Sequence, residues 1–384
     1  MNRRTIHLSA MVVALVLAMI APTAAAPPTD DPVAAAGYGA RWLAARTDPQ
    51  GFLVGPGDQP SPGQTAQAAL ALAAAGVERP TFERMVDWLE ANIESYVAGS
   101  GPDSPGALGT AMMIAVAAGR DPGDFGGVDL PARLAATFGD HEPGLYGAAD
   151  PTFDGVFRQG LAVLGLVAAG EPVPSAALDW LEDQQCSAGP PTAVGGWTSY
   201  RATPTDPCPA PDPDLFSGPD TNSTALAVQA LVAAGRSAAS AGPFLQGAAG
   251  PDGGYPFIPG GEVDPNSTAL VIQALAALGA DRSAATRSLL SWQLGCDAEP
   301  GDIGAFASPF SDGAADQFAT IQAVWGAAGR AFPLQAVSFG AAPTPCVEPD
   351  PTTDTTASGP STTTDGVRDS APATPLVVTP AFAG

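Results

Sequence analysis

Six stretches of the chain carry almost no charge and consist largely of Ala, Leu and Val. They are "ALALAAAG" to Gly76, "MMIAVAAG" to Gly119, "AVLGLVAAG" to Gly170, "QALVAAG" to Gly235, "QALAALG" to Gly279 and "AVWGAAG" to Gly329. Uniform apolarity of this kind predicts a helix buried nearly all round, and the closing glycine suits a left-handed C-cap. Between them lie six more amphipathic pieces: "VAAAGYGARWLAAR", "TFERMVDWLEANIESYV", "LPARLAATF", "PSAALDWLEDQQ", "SAASAGPFLQG" and "RSAATRSLLSWQLG". Their Arg, Asp and Glu residues suit a face turned to water. The pattern predicts a repeat architecture of paired helices. Because an amphipathic piece precedes every buried one and the last buried one lacks a successor, a ring closes by setting the first helix beside the last.

The ends of the chain read differently. Residues 1–26, "MNRRTIHLSAMVVALVLAMIAPTAAA", place two arginines before a short apolar run and a small-residue end, the pattern of an export signal. From 347 to 384 the chain is Thr, Pro, Ser and Asp with few apolar side chains. Such a composition predicts a tail that cannot offset its own ordering entropy. Export to the outside or surface of the cell, with no membrane span in the mature chain, is the expectation.

Charge narrows the partners. The formal net charge is -24, with 15 basic residues, all of them arginine, against 39 acidic ones. This disfavours nucleic acid and anionic membrane surfaces. The absence of lysine excludes Schiff-base catalysis. Four cysteines, Cys186, Cys208, Cys296 and Cys346, suit an oxidising compartment. Of the three pairings, Cys186 with Cys208 and Cys296 with Cys346 is favoured, because each pair brackets one Pro- or Gly-rich excursion. No C-x-x-C occurs, and His141 is the only histidine beyond the export signal. No metal and no cofactor are expected.

Several amphipathic pieces lead into a glycine-aromatic turn, as in "RWLAARTDPQGF", "LDWLEDQQCSAGPPTAVGGW", "FLQGAAGPDGGY" and "LLSWQLGCDAEPGDIGAF". These resemble the QW-type repeat of squalene cyclases and prenyltransferases over roughly 33 to 335, weakest around 100 to 140, where "GPDSPGALGTAM" reads as lacking a polar helix start. The resemblance implies an all-α fold, an α6/α6 toroid of six inner and six outer helices spanning 33–346. It also implies a packing role for Gln184, Gln185, Trp197 and Trp292, which would tie outer helices together, with Trp197, Tyr200, Tyr255 or Phe257 as alternative lining of a binding mouth.

The stretch "DTNSTALAVQAL" and its copy "DPNSTALVIQAL" resemble the D-x-D-D-T-A segment of the proton-initiated cyclases in that family. There the second Asp is the general acid. Here that position is Asn222, and Asn266 in the copy. An amide cannot deliver a proton of the acidity needed to start cyclisation. Alignment on the closing glycine places Asp316 in the same slot of the last repeat. Asp220, Asn222, Asp264 and Asn266 suit helix caps. Since inner helices of a toroid run parallel, the same residues would gather at one end of the barrel, around a mouth.

The expected function is therefore a secreted toroid, more a binder than an enzyme. It would hold a small apolar or amphipathic ligand, or a cell-envelope component, at the barrel mouth. Two enzymatic alternatives stand beside it. A cyclase- or prenyltransferase-like activity is opposed by the missing acid, by a chain long enough for one toroid where cyclases were expected to need two, and by His141 having no cysteine neighbour for zinc. A glycan-cleaving activity would draw on Asp140, His141, Glu142 and Tyr146 in "FGDHEPGLYGAAD".

Overall fold

A polar residue at the start of five of the six apolar stretches, Gly155 at the start of the other, and a glycine at the end of each mark where the inner helices begin and stop. The computed structural model describes residues 29–335 and 337–346, so the expected export signal and tail lie outside the described residues. The inner helices are α2 (Pro62–Ala75), α5 (Pro105–Ala117), α8 (Val156–Ala169), α10 (Thr221–Ala233), α12 (Pro265–Ala277) and α14 (Gln317–Ala328). The outer helices are α1 (Pro32–Arg46), α3 (Arg79–Ala91), α6 (Leu130–Ala136), α9 (Ser175–Asp183), α11 (Gly242–Ala248) and α13 (Ser283–Leu290). Two short helices, α4 (Ile93–Val97) and α7 (Pro151–Asp154), complete the set.

Each inner helix packs on the next, α2 on α5, α5 on α8, α8 on α10, α10 on α12 and α12 on α14, and α14 packs back on α2. Helix α1 lies against α14, so the ring closes as the repeat order predicts. The fold is the all-α toroid, and the described residues contain isolated β-bridges but no strand. No described helix is long and apolar enough to cross a membrane.

Small residues let the ring draw tight. A methyl group on Gly165 of α8 would sit 2.6 Å from the carbonyl oxygen of Gly109 in α5, and one on Gly326 of α14 only 2.7 Å from the Cα of Ala269 in α12. The six closing glycines all have φ between 64° and 79°, the left-handed region expected of them. At the opposite ends, Ser61, Ser104, Asp220, Asp264 and Asp316 accept a first-turn N–H. Ser104 corrects one expectation, because "GPDSPGALGTAM" does contain a polar start for α5, its hydroxyl accepting from Ala107 N at 3.4 Å.

A side chain four residues beyond the cap ties each glycine-aromatic turn to its helix. Thr224 donates to the Asp220 carbonyl at 2.6 Å and accepts the Trp197 N–H at 2.9 Å. Thr268 donates to Asp264 and accepts from Tyr255, Thr320 joins Asp316 to Phe306, and Thr65 joins Ser61 to Leu53. In α8 the same place holds Gln159, which accepts the Tyr146 N–H at 3.0 Å. Each of these side chains satisfies a buried backbone donor that no helix could reach.

The chain after α14 forms a strap. Phe332 N donates to Gln229 of α10, Gln273 of α12 donates to the Arg330 carbonyl, and the Phe332 ring meets Trp325 edge-on at 5.4 Å. Further on, Gly340 N reaches the Gly76 carbonyl and Phe339 stacks near Phe82, on α2 and α3. The Cys296–Cys346 disulfide pins the strap's far end, and Cys186–Cys208 brackets the loop before α10, the pairing expected from sequence.

Candidate functional site

The inner helices share a register that decides which residues meet in the middle. Two residues beyond the capping position stand Gly63, Gly106, Phe157, Asn222, Asn266 and Phe318, and all six line cavities inside the ring. One turn deeper, six beyond it, stand Gln67, Thr110, Leu161, Leu226, Leu270 and Gln322, and these line the cavities too. Nine beyond it, Leu70 and Trp325 still face the chamber, while Gln229 and Gln273 hold the strap that supplies Phe332 as a floor. Residues at +2, +6 and +9 lie on one helical face, and the threonines at +4 lie on the opposite one, toward the outer layer.

Two connected spaces result. An outer mouth of about 730 Å³ is bounded by Asn222, Asp264, Asn266 and Asp316, with the loop residues Phe216, Phe257 and Phe310 around it. An inner chamber of about 270 Å³ is walled by Leu70, Leu161, Leu226, Leu270, Trp325 and Phe332, with Tyr96, Gln67, Thr110, Gln322 and Arg158 among its polar groups. The two share Phe157, Leu270, Phe318 and Gln322, so the mouth leads into the chamber. This is the amphipathic profile of a small-molecule site, an aliphatic and aromatic wall with a few fixed polar groups.

Of the seven residues singled out from sequence, four come together here: Asn222, Asp264, Asn266 and Asp316. The other three do not. Asp220, only 3% exposed, opens instead on a neighbouring groove beside the Cys186–Cys208 loop, shared with Tyr200 and Phe257. Trp197, 1% exposed, points into the wall and donates its indole N–H to the Leu181 carbonyl at 2.7 Å. Tyr255 is likewise buried and lines neither space. Their N–H groups are bound to the +4 threonines, which turns the rings outward from the mouth. Phe257, the alternative to them, does reach it.

Asp316 also needs correction. Alignment on the closing glycine put it level with Asn266, but α14 is two residues shorter from cap to glycine, and Asp316 is the cap itself. Its Oδ1 accepts from Ala319 N at 3.0 Å and its Oδ2 from Ser308 Oγ at 2.7 Å. The residue level with Asn222 and Asn266 is Phe318. No acid occupies the +2 position of any inner helix. Burial raises the carboxyls of Asp220 and Asp264; for Asp220 the first-turn amides only partly offset it, leaving a pKa of about 6.

The glycine-rich turn at 138–150 lines neither space inside the ring, and its Asp140 and His141 are exposed. Tyr146 is buried against Phe138, with ring centroids 4.7 Å apart, and burial pushes its phenol up to about 12. Glu142 accepts from the Trp180 indole and from the Tyr200 hydroxyl, so both its oxygens are engaged. Neither residue lines the cavities inside the ring. Gln293 ties α1 to the last turn through the Ala35 and Gly304 carbonyls, and Gln185 joins Gly195 and Ser240. Gln184 pairs with the backbone of Arg201. No group of three or more His, Cys, Asp or Glu side chains converges among the described residues.

Sequence reasoning missed Phe157, Phe310, Phe318 and Gln322 in the mouth and the whole chamber floor. The signal for the helical ones was the register itself, counted from the cap rather than from the closing glycine.

No protein-family model matches the sequence, and no curated protein matches it. Solved structures do match in fold. A variant of the type II terpene cyclase MstE from Scytonema, in complex with geranylgeranyl dihydroxybenzoate as substrate, aligns with a TM-score of 0.55 at 15% identity, over 78% of this chain and 97% of that one. The same cyclase without ligand gives 0.52 at 15% identity over the same shares. An alpha-amylase from Clostridium perfringens aligns with a TM-score of 0.56 at 10% identity, over 77% of this chain and 97% of that one. These likenesses establish a terpenoid cyclase-like α/α toroid. They also overturn the size argument against a cyclase, since one toroid of this length spans nearly the whole of the cyclase chain.

Proposed function

We propose that this chain is an exported toroid that binds a small, elongated apolar or amphipathic molecule, with its polar end at the mouth and its apolar body in the chamber, and does not transform it. The guest is a free small molecule or the apolar part of a cell-envelope component. The observation that carries this reading is the +2 layer, which is Gly, Gly, Phe, Asn, Asn and Phe around the ring, with no proton donor strong enough for an alkene. The carboxylates nearby at Asp264 and Asp316 each give an oxygen to their own helix. Two disulfides fit an oxidising destination.

The test is native mass spectrometry of the full chain purified from its own source. One small molecule per chain, released intact on denaturation, is the expected result. A chain that is always empty, and that takes up no prenylated aromatic such as the geranylgeranyl dihydroxybenzoate of the cyclase neighbour, overturns the reading.

One observation favours a second reading, a cyclase-like enzyme. Asp264 is buried at the mouth, and burial holds its proton more tightly than an ordinary carboxyl does. Cyclisation leaves mass unchanged, so the compound recovered after incubation is compared with the starting material by chromatography. A new isomer that disappears in Asp264→Asn would establish this activity.

A further inference from the structure

The charged groups of the mouth among the described residues have one sign. Asp214, Glu262, Asp264 and Asp316 line it, and no arginine does. Among the described residues the sole cation lining either space, Arg158, belongs to the inner chamber, and its guanidinium sits 3.3 Å from the centre of the Phe153 ring. Aromatic rings stand among these acids: Phe157 and Phe318 from the helices, Phe216, Phe257 and Phe310 from the loops. Phe310 and Phe216 are 82% and 76% exposed, and Phe318 and Phe257 of the same rim are also exposed. Ring faces carry partial negative charge and attract cations, most strongly where carboxylates share the site.

Two polar groups in the same space lack partners. Gln322 is 5% exposed, lines both the mouth and the chamber, and its carboxamide makes no hydrogen bond among the described residues. The Asn266 Nδ2 is buried without an acceptor, two residues beyond the Asp264 cap. Buried amides are ordinarily satisfied, and that of Gln322 is placed where the mouth meets the chamber.

We propose that the mouth selects an organic cation: an amphiphile whose ammonium group lies among the acids and phenylalanines, with an alkyl or isoprenoid body running past Gln322 into the chamber. This deepens the binding reading and rests on it. An anionic head such as a carboxylate or diphosphate would meet four acids and no compensating charge, whereas a neutral head would gain the apolar contacts alone.

The experiment uses the full chain and three probes of equal length, decyltrimethylammonium, decanoate and decanol, titrated below micelle formation by calorimetry. The expected result is one site, with the ammonium probe bound at least tenfold tighter than either of the others and losing that advantage as salt is raised. The double variant D214N/E262Q, on exposed loop positions, and Phe257→Ala should each cut the preference of the ammonium probe over decanol severalfold. A distant pair, E83Q/D87N on α3, should leave it unaltered. If decanol binds as tightly as the ammonium probe, the chamber stands and the charge selection falls. If no probe binds, the binding reading falls with it. Many weak sites that respond equally to the distant pair mean non-specific attraction to an acidic protein and overturn the proposal.

Discussion

Substituting Gly165 by alanine sets two effects of opposite sign against each other. Alanine is the better helix former, by about 1 kcal/mol in a helix interior. Yet the new methyl on α8 would lie 2.6 Å from Gly109 O and 2.9 Å from Gly109 C, where ordinary contact begins at 3.4 Å. Both atoms are backbone of α5, so neither can swing aside as a side chain would. The methyl would press hardest on Gly109 Cα, so the helices must part by roughly 1 Å there, and overpacking of this kind costs about 1–3 kcal/mol. The steric term wins, and we expect Gly165→Ala to lower the melting temperature by several degrees, at about 2 °C or more per kcal/mol. Gly247, on α11 with nothing within 4 Å of its missing methyl, is the control. Gly247→Ala should be neutral or stabilising by up to about 1 kcal/mol. Thermal melts of both variants by circular dichroism decide it. Stabilisation in Gly165→Ala, equal to that in the control, would refute the close backbone approach on which the ring depends.

Three further outcomes follow from the same geometry. Thr268→Val removes the acceptor of the buried Tyr255 N–H and should cost about 1–3 kcal/mol in denaturant unfolding, with Thr320→Val behaving alike. Asp220 has a folded pKa of about 6 against 3.8 unfolded, so the native state binds its proton more tightly and stability from this group falls as pH rises between those values. Asp220→Asn, which keeps a cap, should therefore gain about 3 kcal/mol on wild type between pH 3.5 and 7.5, and a pH-independent difference would contradict the assignment. Replacing both Cys296 and Cys346 by serine frees a loop of 50 residues, a loss of about 4 kcal/mol by chain entropy, read as a lower midpoint in urea.

The six apolar stretches told where the inner helices run because burial on every side leaves no polar face, and their glycines told where each one stops. They could not tell which side faces the cavity: Leu226, which lines the chamber, and Ala225, which does not, look the same when both are buried. The caps carried that information. Once Asp220, Asp264 and Asp316 are aligned as caps, the +2, +4, +6 and +9 positions acquire distinct roles, and the misplacement of Asp316 by two residues disappears. The near-identical motifs around Asp220 and Asp264 still diverge, one opening on the outer groove and the other on the mouth, because the loops preceding them differ. The strap was illegible for another reason. Gln229 and Phe332 are joined across 103 residues by one hydrogen bond, and nothing local in either segment announces it. Phe216 and Phe310 sit in loops without periodicity, so no pattern marked them as part of a rim.

The account holds that the ring encloses a chamber which keeps a guest unchanged. The most direct measurement loads the full chain with a prenylated aromatic probe, determines its affinity and stoichiometry, and identifies the compound recovered, for wild type and for Ala107→Trp, whose indole would fill the chamber from the first turn of α5. The account predicts one probe per chain, recovered as loaded, with affinity at least tenfold weaker in the variant at an unaltered melting temperature. Equal binding by the variant, or recovery of a cyclised isomer from wild type, would contradict it.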